Sequence, residues 1–185
     1  MTKVTLILGS PRKGGNTETL AEAFLSSSEK TARVDRFRLQ EMDFSGCTDC
    51  RQCWSQGGPC VIEDGLKPLY ASLKDSDAIL FASPLYWYSW SGPVKTLWDR
   101  FLPFAYGDKP GAFTLEGKKA ILVSAAGDAE GSCFQGLLFS FRRSCSLLKM
   151  TIAGEFCFTG LHGRDEASKR SELLQKLRLA GQSVL

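Results

Sequence analysis

The chain has 185 residues, 43% of them hydrophobic and 23% charged, the length and balance of one globular unit able to bury about 70% of its unfolded surface. That composition excludes fibres, repeat arrays and wholesale disorder, and no run reaches the ~18 consecutive apolar residues of a membrane-spanning helix. The net charge is only +3, without a basic run, so nucleic acid is a poor partner and small anions are better ones. Met1 to Ser10 turns polar too soon for a signal peptide, and the sequence reads as a cytoplasmic protein forming a single domain over residues 1–185.

Apolar runs of strand length alternate with segments of helical period. Val4 to Leu8 is a first strand, followed by a polar glycine-rich turn and a helix begun by Leu20, Ala23 and Phe24. Ala32 to Phe37 is a weaker second strand. A segment of about 25 residues without a clear period, Leu39 to Glu63, is long for a compact domain unless something inside it supplies order. Leu66, Leu69, Tyr70 and Leu73 then sit at i, i+3, i+4 and i+7, with Asp64 expected as N-cap and Pro68 in the first turn. Ala78 to Ala82 is a third strand. Val94, Leu97, Trp98 and Phe101 repeat the helical spacing behind Pro93, Ala120 to Ser124 is a fourth strand, and Phe134, Leu137, Leu138 and Phe141 mark its helix. Thr151 to Phe156 gives the fifth strand and Leu173, Leu177, Ala180 and Val184 the last helix. Continuous apolar strands between helices indicate a parallel sheet covered on both faces, and five such units are too few for an eight-stranded barrel. The expected architecture is a flavodoxin-like α/β fold, three layers deep, with strand order 2-1-3-4-5. A ligand then lies at the carboxyl ends of the first and third strands, where the winding reverses.

Gly9 to Thr17 fills the first of those loops. Its glycines let backbone N–H groups converge, Ser10, Asn16 and Thr17 add polar side chains, a helix start adds partial positive charge and Arg12 can grip oxygen in a bidentate manner. This suits a phosphate. The glycine spacing approaches a P-loop, but Gly15 stands where its lysine belongs and Asn16 where its Ser or Thr belongs, which disfavours nucleotide hydrolysis. Ser83 to Gly92, the second loop, holds Tyr86, Trp87, Tyr88 and Trp90. Flat side chains there can stack on a planar ring such as a flavin, or else bury an interface. Ala126 and Gly127, after the fourth strand, offer a further wall.

Seven cysteines, an odd number in a chain without export signals, point to metal or redox chemistry. Four crowd into the aperiodic segment as Cys47-x2-Cys50-x2-Cys53-x6-Cys60. This spacing favours a [4Fe-4S] cluster over zinc and leaves a reduced, metal-free set of thiols open. Cys133, Cys145 and Cys157 are scattered and fit a core. His162 is the single histidine; with no G-x-S-x-G elbow a Ser-His-Asp hydrolase is disfavoured, and the residue reads as a turn or surface feature.

The phosphate loop, the cysteine run followed by Glu63-Asp64, the Asp77-Ala78-Ile79 to Tyr86 segment and Ser91-Gly92-Pro93-Val94-Lys95 leading to Asp99-Arg100 together resemble the NADPH-dependent FMN reductase and flavodoxin-like group, most of all its iron-sulfur flavoprotein branch. The resemblance implies one FMN per subunit in a homodimer or homotetramer with flavin sites near subunit contacts, and an FMN-dependent oxidoreductase with NAD(P)H or a ferredoxin-like protein as donor; a non-catalytic flavin-binding module is the third reading. It also implies that Ser10, Arg12, Asn16 and Thr17 hold the FMN phosphate, that Pro84, Leu85, Tyr86 and Trp87 line the isoalloxazine with Ala126 and Gly127 beyond, and that Cys47, Cys50, Cys53 and Cys60 ligate a cluster. Bulky Trp87, Tyr88 and Trp90 depart from the family pattern and are expected to narrow the approach of nicotinamide.

Overall fold

A computed structural model describes residues 1–28, 31–106 and 114–185. Five strands, β1 (Thr2–Leu8), β2 (Ala32–Arg38), β3 (Ala78–Pro84), β4 (Lys119–Ala125) and β5 (Thr151–Phe158), form one sheet in the order β2-β1-β3-β4-β5. Every pairing is parallel. The sequence places each strand correctly and ends most of them one or two residues early, short of Arg38, Pro84, Ala125 and Phe158, which also pair in the sheet.

The helices are α1 (Asn16–Leu25), α2 (Gln52–Gln56), α3 (Lys67–Asp75), α4 (Gly92–Asp99), α5 (Gln135–Leu147) and α6 (Ser171–Val184). Successive side chains of a strand point to opposite faces, so each inner strand feeds two cores. Val4, Leu6 and Leu8 of β1 join Leu80, Ala82, Ile121 and Val123 against Leu20, Phe24 and Leu177 of α1 and α6. Ile7, Ile79, Phe81 and Leu122 face the other way, against Leu69, Leu73, Val94, Leu97 and Phe141 of α3, α4 and α5. That is why the strands read as unbroken apolar runs. In the second core Phe81 stacks on Trp98 with centroids 4.9 Å apart, and Trp90 packs against both Trp98 and Phe141.

One cap differs from expectation. Asp64 is not the N-cap of α3, whose cap position is Leu66. Its carboxylate accepts the Leu66 backbone N–H at 3.1 Å and is otherwise claimed by the buried guanidinium of Arg100 at 2.6 Å, so the ion pair moves the helix start past it. Pro68 does lie in the first turn.

The two outer helices of the first core meet without a side chain between them. A Cβ placed on Gly181 would come within 1.8 Å of the Phe24 carbonyl oxygen, so α6 rests directly on the end of α1. Gly181→Ala should push these helices apart and cost about 1–3 kcal/mol. A denaturant titration should show a lower midpoint with unchanged slope; an unchanged midpoint would mean the contact is slack.

Candidate active site

Where the winding reverses, the ends of β1 and β3 are tied together before any cleft is built. Ser91, just ahead of α4, donates from Oγ to the Gly9 carbonyl at 2.7 Å, and its backbone N–H donates to Ser83 Oγ at 3.1 Å. A Cβ on Gly9 would stand 2.1 Å from Val94 Cγ2, so only glycine allows β1 to close on α4. Leu85 donates its N–H to the Ala125 carbonyl at 2.9 Å, bringing in the end of β4.

Above this floor opens a cleft of ≈ 210 Å³, bordered by Ser10, Arg12, Gly15, Asn16 and Thr17 on one side, by Pro84, Leu85 and Tyr86 on another, and by Ala125, Gly127, Leu161 and His162 on the third. Ser10 and Thr17 are buried. The Arg12 backbone N–H donates to Ser10 Oγ at 3.2 Å, which curls the loop, and the Arg12 side chain is exposed at the mouth. Gly15 is the N-cap of α1 and supplies no side-chain acceptor. The first amides of a helix have no partner within it, so this helix start presents N–H groups and partial positive charge to the cleft. Glu18, in the same first turn, does not cancel that charge. It accepts the Gly14 N–H at 2.6 Å and is gripped by the fork of Arg38, whose hydrogen bonds hold its carboxyl below the usual range against the opposing effect of burial.

The expected residues are gathered here with three differences. The Asn16 side chain turns away from the ligand space: its Nδ2 donates to the Leu161 and Gly163 carbonyls at 3.2 and 2.6 Å, and its Oδ1 accepts the Ala167 N–H at 2.9 Å. It fixes the loop after β5 to the phosphate loop, and only its backbone N–H is left for an anion. Ala126 is buried behind the wall, which Ala125 and Gly127 form instead. Trp87 does not border the cleft. It lies at the tip of a two-residue hairpin in which Tyr86 and Ser89 exchange hydrogen bonds at 3.1 and 3.0 Å, with φ of 49° at Trp87 and 60° at Tyr88. That is the twist of a type I′ turn, unusual for aromatic residues, and it leaves Trp87 94% exposed. Trp90 is 4% exposed and bonds Ser140 Oγ through Nε1 at 3.2 Å, so it serves the core and cannot narrow the mouth. Leu161 and His162, by contrast, belong to the wall; a Cβ on Gly127 would lie 2.8 Å from His162 Nδ1. Their position just after β5, on the same sheet edge, was the signal available for them.

The cysteine segment departs from the cleft. It leaves the end of β2, crosses α4 where Gly46 faces Thr96, and reaches Arg100, which lies at the opposite end of α4 from Ser91. None of the four clustered cysteines borders the cleft. Cys47 and Cys50 are exposed, Cys60 is half-buried, and Cys53, carried on α2, is buried. Burial first, and then the Cys60, Cys50 and Cys47 thiols, push the Cys53 thiol up from its ordinary value. Among the described residues no three His, Cys, Asp or Glu side chains are gathered closely enough to hold a metal ion.

The sequence profile of the NADPH-dependent FMN reductase family matches residues 2–161. The chain belongs to that family. It is similar to an iron-sulfur flavoprotein of Archaeoglobus fulgidus, 31% identical over 184 residues that cover 98% of this chain and 81% of that protein. An iron-sulfur flavoprotein of Methanosarcina thermophila is 30% identical over 130 residues, 70% of this chain and 65% of that one. In fold it resembles the NAD(P)H:quinone oxidoreductase of Methanothermobacter marburgensis, with a TM-score of 0.73 at 20% identity, covering 100% of this chain and 99% of the other. Membership makes the protein an FMN-binding oxidoreductase, served by an electron donor and an acceptor, with NAD(P)H as the family's nicotinamide donor.

The cleft suits FMN. An uncapped helix start, a curled glycine loop and a free-standing arginine fit a terminal phosphate, and the Pro84 to Tyr86 edge offers an apolar and aromatic flank for the ring. No G-x-G-x-x-G follows β1 for a dinucleotide. Arg12→Glu should weaken FMN binding by on the order of 2–4 kcal/mol, through a lost charge-assisted contact and added repulsion. Flavin fluorescence titration measures this; wild-type affinity in the variant would remove Arg12 from the site.

Proposed function

We propose that the protein is an iron-sulfur flavoprotein in which electrons pass between a cluster on the cysteine loop and FMN in the cleft. In this reading Ser10, Arg12, Thr17 and the first amides of α1 hold the phosphate. Pro84, Leu85 and Tyr86 flank the isoalloxazine, with Ala125, Gly127 and His162 opposite, and Asn16 acts through the loop it fixes. Bound FMN supplies the exchange between one-electron and two-electron steps. No side-chain acid or base is required for that.

The observation that carries the proposal is the run of four cysteines, separated by two, two and six residues, on a segment whose one helix is the five-residue α2. The donor chemistry fits Cys47, Cys50, Cys53 and Cys60 as ligands of a [4Fe-4S] centre. A mononuclear zinc ion needs its ligands converging on one point, whereas in a polynuclear cluster each thiolate binds its own iron. The relatives named as iron-sulfur flavoproteins support the same reading. Cys47 and Cys50 are exposed, which leaves electron exchange across a contact between subunits open to them, and we take the working unit to be a homodimer or homotetramer of 1–185 domains in the cytoplasm. Among the described residues no helix is long and apolar enough to cross a membrane.

A second reading, direct hydride transfer from NAD(P)H, is favoured by the open mouth: Trp87 leaves it and Trp90 is in the core, so of the four aromatics only Tyr86 borders it. Anaerobic stopped-flow reduction separates the two. Wild-type protein reconstituted with about four irons per chain should show fast flavin reduction by a low-potential one-electron carrier, and Cys50→Ser should lose iron and that phase while keeping FMN. Equal rates in the two proteins, or reduction of Cys50→Ser by NADPH at ~10 s⁻¹ or above, would make the protein a plain nicotinamide-dependent reductase.

A further inference from the structure

One buried charge is not used by the flavin cleft. Arg100, the residue after α4, is 1% exposed. Its Nη1 donates to the Ser45 carbonyl at 2.8 Å and to Asp64 Oδ2 at 2.6 Å, and its Nη2 makes longer contacts of 3.5 Å with the Ile62 carbonyl and Asp64 Oδ1. Ser45 stands two residues before Cys47, and Ile62 two residues after Cys60. One guanidinium thus holds both ends of the segment that carries all four cysteines. Cys60 packs against the same core and lies close enough to the guanidinium to favour its charged form. The remaining N–H, at Nε, is buried with no partner among the described residues.

A buried guanidinium with an unmet donor is costly unless something anionic completes its surroundings. Asp64 supplies one negative charge. The Cys60 sulfur, once it is a ligating thiolate, is an acceptor within reach of the same group. We propose that Arg100 is the positioning residue of the cysteine site: it closes the two ends of the loop and sets a permanent positive charge beside Cys60, which favours assembly of a thiolate-ligated cluster and its reduction. Adding an electron to such a cluster adds a negative charge, so a fixed positive charge and a hydrogen bond to a ligating sulfur both raise its reduction potential. The inference rests on the cluster reading above, but the clamp itself concerns the polypeptide and is testable without metal.

Three variants separate the roles. Arg100→Lys keeps the charge and loses the fork, and Arg100→Gln loses both. The double variant Arg100→Met/Asp64→Leu removes the ion pair as a unit and so avoids an unpaired buried carboxylate, which keeps the test available if Arg100→Gln does not fold. In metal-free, FMN-loaded protein, iodoacetamide labelling of Cys60, followed by peptide mass spectrometry, should be about ten-fold faster or more in all variants, because the loop opens locally. FMN content should stay at the wild-type level, because neither Arg100 nor its partners Ser45, Ile62 and Asp64 border the cleft. After anaerobic reconstitution, the cluster midpoint potential should stay near wild type in Arg100→Lys and fall in Arg100→Gln and in the double variant. Unchanged Cys60 labelling overturns the clamp, and equal potentials in Arg100→Lys and the charge-free variants overturn the electrostatic role. A wild-type protein that takes up no iron yet shows accelerated labelling in the variants would sink the cluster reading and leave the clamp standing.

Discussion

The site depends on a single topological constraint, the reversal of winding between β1 and β3. Both strands point their carboxyl ends the same way while their connections depart to opposite faces, so the loops after them diverge and leave a crevice. The crevice has a fixed floor because Gly9 has no side chain to keep β1 from Val94, and because Ser91, held by its N–H to Ser83, donates from Oγ to the Gly9 carbonyl across the gap. Every wall is then hung from a strand end by main-chain hydrogen bonds: Leu85 to Ala125, Ala126 to Phe158, Leu161 to Ala126. A phosphate binding at the start of α1 meets donors already held in place, with little conformational entropy left to lose.

The same fold treats its second functional segment differently. The cysteine loop has little secondary structure of its own apart from α2, and its order comes from a buried ion pair, Arg100 with Asp64. Such pairs rarely add net stability, since desolvation offsets most of their attraction, but removing one partner strands a charge. Their use is to specify one arrangement. Here the arrangement specified is where Ser45 and Ile62 sit, and hence where the four thiols begin and end.

The sheet order, the strands and the glycine-rich turn from β1 into α1 were legible because they follow from period and glycine spacing, which are local. Residues whose roles come from tertiary partners were not. Asn16 sits in the phosphate motif and yet spends its side chain on the loop after β5. Trp90 shares a loop with Tyr86 and Trp87, but the strand end turns it inward while a type I′ hairpin turns Trp87 out. Asp64 has the look of a helix cap until Arg100, thirty-six residues on, claims it. His162, alone in the sequence, lines the cleft because β5 ends beside β4.

If the flavin is held chiefly through its phosphate at the start of α1, the most direct measurement is the affinity of the deflavinated protein for FMN against riboflavin, which differ only in that group. Two charge-assisted contacts at roughly 1.5 kcal/mol each predict FMN binding tighter by about 100-fold or more. Equal affinities would contradict the account, since the cleft would then be recognising the ring alone.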